Sequence, residues 1–433
     1  EECKKANGGS FPSDDIIAVR IGDECFHLSG HGNCEACSYP LWDFSESTVR
    51  NYRELTSLHY PRGKTWLDMY GREAYTLWLY NYHKLMAELM LVVKDELLSL
   101  GLDNVLTFRN ITRYNVFHPL NDHDGSGLDL LTQSLDIVHI DPYPINANGY
   151  REEVIPVDMS YVAGMARRHN KLLVPWLQSH QYWPEMGGLK HPGASDIEKM
   201  VNQQMQHNPD AFMWLGYGKP PFNTFPYENE AAWNMAGKMH EKFKSATFDP
   251  IKANIAILRP YNVRALRDLN HGQLMDKHFT EDIITWLAIQ NHHYDAFEPI
   301  NLQSDELKAL NDYQLIIAEA GKLSAAELLR LKDFNGDAMV FIFEADKHPI
   351  DQKFTGIESF LGTESGSLTA STKEGSFQVL AYDRFLLNQD VEVLAKIEEQ
   401  PVIWKKDNII FNACISSSGI PHILNCLFSQ KNL

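Results

Sequence analysis

Residues Asp15 to Cys25 read DIIAVRIGDEC, a short β-branched run that stops at Gly22 and delivers Asp23 and Glu24 at its C-terminal end. A run of this kind suits a central parallel strand, buried on both faces, whose last residues face a cleft. Glu24 is then the leading candidate for a catalytic carboxyl; the alternative is that the Asp-Glu pair simply begins a solvated loop.

Working outward, the same pattern returns. Cys25 to Leu41 is a loop rich in Gly, His and Cys, too polar for a core. Glu73 to Leu100 carries apolar residues at helical spacing (Leu77, Tyr80, Leu85, Leu89, Val92, Leu97), and Gly101 is a natural stop. Val105 to Ile111 (VLTFRNI), Leu135 to Tyr143 (LDIVHIDPY), Lys171 to Gln178 (KLLVPWLQ) and Ala211 to Gly218 (AFMWLGYG) read as further strands. Helices are expected near Leu128 to Ser134 and at Pro156 to His169, Ser195 to His207 and Glu228 to Lys244. Strand then helix, five times over, predicts a parallel α/β arrangement. In a (β/α) barrel the polar strand ends line one opening, so Glu24, Asn110, Asp141, Gln178 and Trp214 are expected to converge.

Near Thr247 to Lys252 the pattern breaks and a second α/β series begins, which divides the chain into 1–247 and 248–433. Strands are expected at Asn254 to Arg259, Tyr294 to Pro299, Leu315 to Ala320, Ala338 to Glu344 and Phe377 to Ala381, with a β pair around Val402 to Cys414. Helices are expected at Thr280 to Asn291, Ala325 to Phe334 and Pro421 to Ser429. This half reads as a doubly wound, flavodoxin-like domain. Its first strand leads into RPYNVRALRD, which lacks a glycine-rich phosphate loop, so a bound flavin or nucleotide is disfavoured and packing or oligomerisation is the expected role.

The bulk composition narrows the partners. At 433 residues the chain has room for two or three domains. With 39 Lys plus Arg against 57 Asp plus Glu the formal net charge is -18, which argues against nucleic acid or an anionic membrane. No stretch of about 18 apolar residues is present, and EECKKANGGS is no signal peptide; a mature secreted chain reads the same way. The compartment stays open, with a secreted or periplasmic location favoured. Of six cysteines, Cys3, Cys25, Cys34 and Cys37 lie in the first forty residues, with His27 and His31 between them. These four cysteines fit a structural zinc site, with Cys25, Cys34 and Cys37 as the candidate ligands, or two disulfides or plain thiols equally well. Asn110-Ile111-Thr112 is a glycosylation sequon at a strand end, a poor place for modification.

The order of these features resembles the clan A β-galactosidases. The residues that carry the resemblance are the strand ending Asp23-Glu24, the Cys-rich loop, Asp141 to Pro144 (Asp-x-Tyr-Pro), Pro175-Trp176-Leu177, a Trp-containing last strand and the flavodoxin-like half. The resemblance implies the C-terminal part, strands four to eight, of a (β/α)8 TIM barrel followed by a trimerisation-type domain. It implies Glu24 as general acid/base, with Asp23 standing where the family has Asn; an ionised Asp accepts a sugar hydroxyl's hydrogen but donates none. The loop resembles a zinc-binding loop found in part of the family. The family's nucleophile is a Glu ending strand seven, and Gln178 stands there instead.

Retaining hydrolysis needs two carboxyls about 5 to 5.5 Å apart, and Gln is not nucleophilic enough to be one. Asp141 and Glu185 are the local replacements. Strands one to three have no counterpart in the fifteen residues before Ile16, so an upstream segment or a separate chain is expected to supply them, an open complete sheet being the alternative. Aromatic and polar strand ends suit carbohydrate: Tyr143, Trp176, Tyr182, Trp183, Trp214 and Tyr217 for ring faces, Asp23, Asn110 and His180 for hydroxyls, with His180 or His139 tuning a carboxyl. Two functions follow, a hydrolase of a β-linked, galactose-type sugar needing no cofactor, or a catalytically inactive carbohydrate-binding or assembly protein built on such a barrel. A homo-oligomer, by resemblance a trimer, is expected.

Overall fold

The computed structural model describes residues 18–21, 50, 53–54, 64–111, 128–146, 149–179, 191–215, 229–261, 283–301, 305–319, 325–342, 355–373 and 375–416. The chain is α/β, with parallel-strand sheets and one large mixed sheet. It divides into two compact units, Glu1–Phe44 with Asn81–Val116 and Asn121–Pro250, and Ser45–Tyr80 with Phe117–Leu120 and Ile251–Leu433. Among the described residues no helix is long and apolar enough to cross a membrane.

In the first unit strands and helices alternate: β1 (Ala18–Arg20), α1 (Lys64–Ser99, in this unit from Asn81 onward), β2 (Leu106–Ile111), α2 (Leu128–Ser134) and β3 (Ile137–Ile140). A small antiparallel hairpin follows, β4 (Ile145–Asn146) and β5 (Gly149–Tyr150), then α3 (Val154–Arg168), β6 (Leu172–Leu173), β7 (Trp176–Gln178), α4 (Ala194–Met205), β8 (Met213–Leu215) and α5 (Glu230–Ser245). The strands β1-β2-β3-β6 are parallel neighbours in that order, and β7 pairs in parallel with β8. Pro175 has no N–H to give the ladder, which splits the run Leu172 to Gln178 into two assigned strands. The run is nonetheless held on both sides: Val174 N donates to Val138 O at 2.9 Å and Met213 N to Pro175 O at 3.1 Å. Five parallel segments therefore stand side by side in chain order.

Helix ends follow local chemistry. α3 stops at Asn170, whose φ of 52° is the left-handed conformation Asn tolerates. Asn170 N then donates to Arg167 O at 3.1 Å and Lys171 N to Ala166 O at 2.9 Å, closing the helix in a Schellman turn. Asp129 on α2 accepts hydrogen bonds from the Arg168 and His169 side chains at that same end. α4 opens with Asp196 accepting from Gly193 N at 2.9 Å, and α5 with Asn229 accepting from Ala232 N at 3.1 Å. At the N-terminal end of β3, Asp136 takes Thr107 N and Oγ1, each at 2.9 Å, and Lys94 from α1. Burial pushes the Asp136 carboxyl up, but the hydrogen bonds from Lys94 and Thr107 outweigh it and hold it below the ordinary aspartate value.

The second unit holds β9 (Ile255–Leu258), α6 (Thr285–Ile289), β10 (Tyr294–Phe297), a 3-10 segment Asp305–Asp312, β11 (Leu315–Glu319), α7 (Ala325–Lys332) and β12 (Asp337–Phe341). Then come β13 (Ile357–Ser371), β14 (Ser376–Leu387), β15 (Glu392–Ile397), β16 (Gln400–Lys406), β17 (Ile409–Asn412) and β18 (Cys414–Ser416). All ten strands form one sheet, β10-β9-β11-β12-β17-β16-β15-β13-β14-β18. Its first five members are parallel and, counted along the chain, stand in the order 2-1-3-4-5; the other five continue it antiparallel. Gly336 permits the close crossing before β12, since a Cβ there would lie 2.4 Å from Gln314 O.

The antiparallel extension departs from the sequence reading. The strand expected at Phe377 to Ala381 runs the length of β14, and its partner β13 was not foreseen at all. β13 reads IESFLGTESGSLTAS, largely polar, half-exposed and interrupted by two glycines at positive φ, so its pairing with β14 rather than any apolar pattern makes it a strand. Helix α1 also begins earlier than the expected Glu73, at Lys64, past Gly71, a residue that weakens a helix by sequence. The helix expected at Pro421 to Ser429 lies outside the described residues.

Candidate functional site at the strand tips of the first unit

Side chains alternate across a strand, so register decides which residues share a face. Phe108, Ile137 and Val174 are packed in one buried cluster against Ala18, Leu106 and Met213. Counting by twos from these puts Asn110, His139, Asp141, Trp176 and Gln178 on that same inner face, at or near the C-terminal tips of β2, β3 and β7. Asn110, His139, Asp141 and Gln178 are each at most 2% exposed. Asn110 Nδ2 donates to Asp141 Oδ2 at 3.1 Å, and Asp141 N continues the ladder to Ile111 O at 3.3 Å. Two of the residues expected to converge are thus in direct contact. Burial of Asn110 agrees with the sequon there being a poor site for glycosylation.

Gln178 is committed elsewhere. Its Oε1 accepts from Ile145 N at 3.0 Å and its Nε2 donates to Ile145 O at 3.1 Å, so the amide closes on a single backbone residue. A neutral amide offers one donor and one acceptor in this arrangement, whereas an ionised carboxylate has no hydrogen for the carbonyl. Ile145 is itself held in the β4–β5 hairpin, where Arg151 N donates to Pro144 O at 2.8 Å and the Tyr150 hydroxyl to Gln203 Oε1 of α4 at 2.7 Å.

His139 sits between two rings, edge-on to Phe108 at 5.1 Å and to Trp176 at 4.5 Å. Its Nδ1 lies 2.5 Å from Val174 O, which only accepts, so Nδ1 carries the proton and Nε2 the lone pair. Burial, opposed by that hydrogen bond and aided by the charge of Arg20, pushes the imidazole down to about 4, so it is neutral at physiological pH. The Arg20 guanidinium lies over the Trp176 ring, 5.6 Å from its centre, a cation–π contact.

Tyr143 is half-buried just beyond β3. Trp214 does not join the cluster: it lies opposite Leu177 in the β7–β8 register, one residue out of step with Trp176 and Gln178, and so belongs to the other face of the strand. The period of two separates it from the tips with which it was expected to converge. Asp23, Glu24, His180, Tyr182, Trp183, Glu185, Tyr217, Cys25, Cys34 and Cys37 lie outside the described residues. Among the described residues no group of three or more His, Cys, Asp or Glu is placed to hold a metal ion.

Sequence reading missed Arg20 and the role of Ile145. A basic residue inside the otherwise apolar IIAVRI was a usable signal for the first; nothing in the local sequence marks Ile145 as the partner of a residue 33 positions away.

No family model and no curated protein matches the chain. Solved structures do. A β-galactosidase from the psychrophilic Marinomonas ef1 aligns at 10% identity with a TM-score of 0.63, covering 89% of this chain and 65% of that one. A polyextremophilic β-galactosidase from the Antarctic haloarchaeon Halorubrum lacusprofundi aligns at 13% identity with a TM-score of 0.64, covering 84% and 60%. The class is therefore defined by architecture: this α/β chain has a fold similar to that of β-galactosidases, as the sequence resemblance to clan A led one to expect, and it spans roughly three fifths to two thirds of the length of the two enzymes it matches.

Proposed function

We propose that this chain is a β-galactosidase-like glycoside hydrolase acting on a β-linked sugar, with Glu24 as general acid/base. The observation that carries the reading is the meeting of Asn110 and Asp141 on the inner face of parallel strands that stand in chain order. That order supports assigning the five segments to strands four to eight of a (β/α)8 barrel in 1–247, completed by an upstream segment or a separate chain. In the second unit, the 2-1-3-4-5 order of the parallel strands supports a flavodoxin-like domain in 248–433, of the type that assembles trimers. Carbohydrate is the partner throughout, with Asp23, Tyr143, Trp176, His180 and Trp183 as further contacts. The negative charge disfavours nucleic acid and anionic membranes.

Gln178 is no nucleophile, because its amide is spent on Ile145. Asp141, or Glu185 from the following loop, takes that role in an active enzyme. The same commitment of Gln178 favours a second reading, a sugar-binding protein without turnover. Incubating the purified chain with an aryl β-galactoside separates the two. Turnover that falls at least about a hundredfold in Glu24→Gln, the scale of general acid–base catalysis, supports the hydrolase. Saturable galactose binding without turnover selects the binding protein, and neither turnover nor binding removes both. Elemental analysis of the purified chain decides the structural zinc proposed for Cys25, Cys34 and Cys37, and light scattering decides the homo-oligomer.

A further inference from the structure

We propose that Asn110 Oδ1 and His139 Nε2 form a paired acceptor site for two O–H hydrogens, those of a sugar diol or of one water in its place. In its sugar form this rests on the carbohydrate reading of the same strand tips and names what is recognised there.

The argument begins with register. Asn110 and His139 are direct partners across the β2–β3 ladder and share the inner face. Each has its donor nitrogen engaged with a neighbouring acceptor. Asn110 gives an amide hydrogen to Asp141, and His139 gives its Nδ1 hydrogen to the Val174 carbonyl. What remains is an amide oxygen and an imidazole lone pair, both buried and both without a hydrogen-bond partner. Two acceptors cannot satisfy each other, and buried acceptors are seldom left unmet. The rings of Phe108 and Trp176 flank the imidazole, so it cannot turn to find another partner without losing both contacts.

Charge selects among donors. The Arg20 guanidinium already raises the local positive potential felt by His139, which disfavours an ammonium or a second guanidinium. Neutral O–H groups meet no such opposition. One hydroxyl supplies a single hydrogen, whereas adjacent hydroxyls of a sugar, or one water, supply two. Strand neighbours about 4.8 Å apart bring both acceptors within reach of such a pair.

The test uses the full chain labelled with 15N-histidine. The His139 Nε2 resonance is followed in the free protein, with D-galactose, and with tetrahydropyran, a ring of similar shape without hydroxyls. A saturable shift toward the hydrogen-bonded position with galactose alone, together with galactose binding weakened about five- to tenfold in His139→Phe and partly restored in His139→Gln, assigns the site to the diol. A resonance already in the hydrogen-bonded position in the free chain and unmoved by galactose assigns it to water. A bare-acceptor resonance under every condition overturns the proposal, even if galactose binds elsewhere. If galactose does not bind at all, the carbohydrate reading fails, and the pair is decided by the free-chain resonance. Should His139→Phe not fold, the wild-type spectra decide alone.

Discussion

The two parallel strand sets of this molecule arise from the same alternation of strand and helix, yet their interiors differ. In the second unit Ala256, Leu258, Ile316, Ala318, Val340 and Phe411 pack with Trp404 in one apolar cluster, and of its buried polar groups Arg259 and Glu298 lie just past the ends of β9 and β10 and Asn412 at the last position of β17. In the first unit the inner face carries Asn110, His139, Asp141 and Gln178 within and immediately after the strands. Burying a polar group without a partner costs about 1–3 kcal/mol, and Asn110, Asp141 and Gln178 limit that cost by hydrogen bonding to one another or to Ile145. Under the proposed function, the second unit would be scaffold and the strand tips of the first would carry recognition.

The largest effect tests the scaffold. Trp404 stacks on Phe411 at 5.6 Å, meets Phe385 edge-on at 5.5 Å and donates Nε1–H to Thr355 O at 2.9 Å. Trp404→Ala is expected to lower stability in urea by about 3–5 kcal/mol while the affinity of the remaining folded protein for galactose is unchanged; an equal loss of affinity would break the division of labour.

Acid tests the inner face of the first unit next. His139 is held down to about 4, against 6.5 for an ordinary imidazole, so the unfolded chain takes up this proton before the folded one does. Its contribution to stability is fully present above pH 6.5 and is lost as pH falls toward 4, roughly 3 kcal/mol in all. Denaturation midpoints measured from pH 7 to 4 are expected to fall less steeply in His139→Phe than in wild type. A residual slope is expected from His169, which burial, together with Arg168 and Lys171, pushes down to about 3. Parallel profiles for the two proteins would remove His139 from this role.

Gln178→Leu sharpens the comparison at a smaller scale. It keeps the bulk but leaves both backbone groups of Ile145 unpaired, and is expected to cost about 1–3 kcal/mol. Gln178→Glu is expected to be destabilising at pH 7 and less so at pH 5, because only the protonated acid can donate to Ile145 O; a pH-independent loss would mean that the clip contributes nothing. Asp136→Asn is the smallest change. Its folded value is depressed, so its contribution is present above the ordinary aspartate range and lost as pH falls below it. The variant is therefore expected to differ from wild type at pH 7 and to converge with it in strong acid.

Much of this arrangement was legible in the residues. VLTFRNI was expected to be a strand ending in polar groups and is β2, Leu106–Ile111, with Asn110 at its tip. The run KLLVPWLQ places Trp176 and Gln178 on one face by alternation alone. Illegible were the partners: Gln178 meets Ile145 across 33 residues, and His139 meets Val174 across 35. β13 was illegible for another reason, since a polar, glycine-interrupted segment has no preference until β14 lies beside it.

By itself the sequence determined which segments are strands or helices in the parallel regions and which side chains lie two apart on a common face, because periods of 2 and 3.6 residues are properties of the local backbone. It determined equally that a glutamine ends the fourth strand of the first set. Only the tertiary structure decided what each buried polar tip touches, and with it that Gln178 is a backbone clip, that Trp214 faces away, and that Asn110 and His139 are left as two acceptors side by side. Hydrogen bonds between distant segments depend on strand order and register, and a shift of one residue in either strand would exchange every such partner.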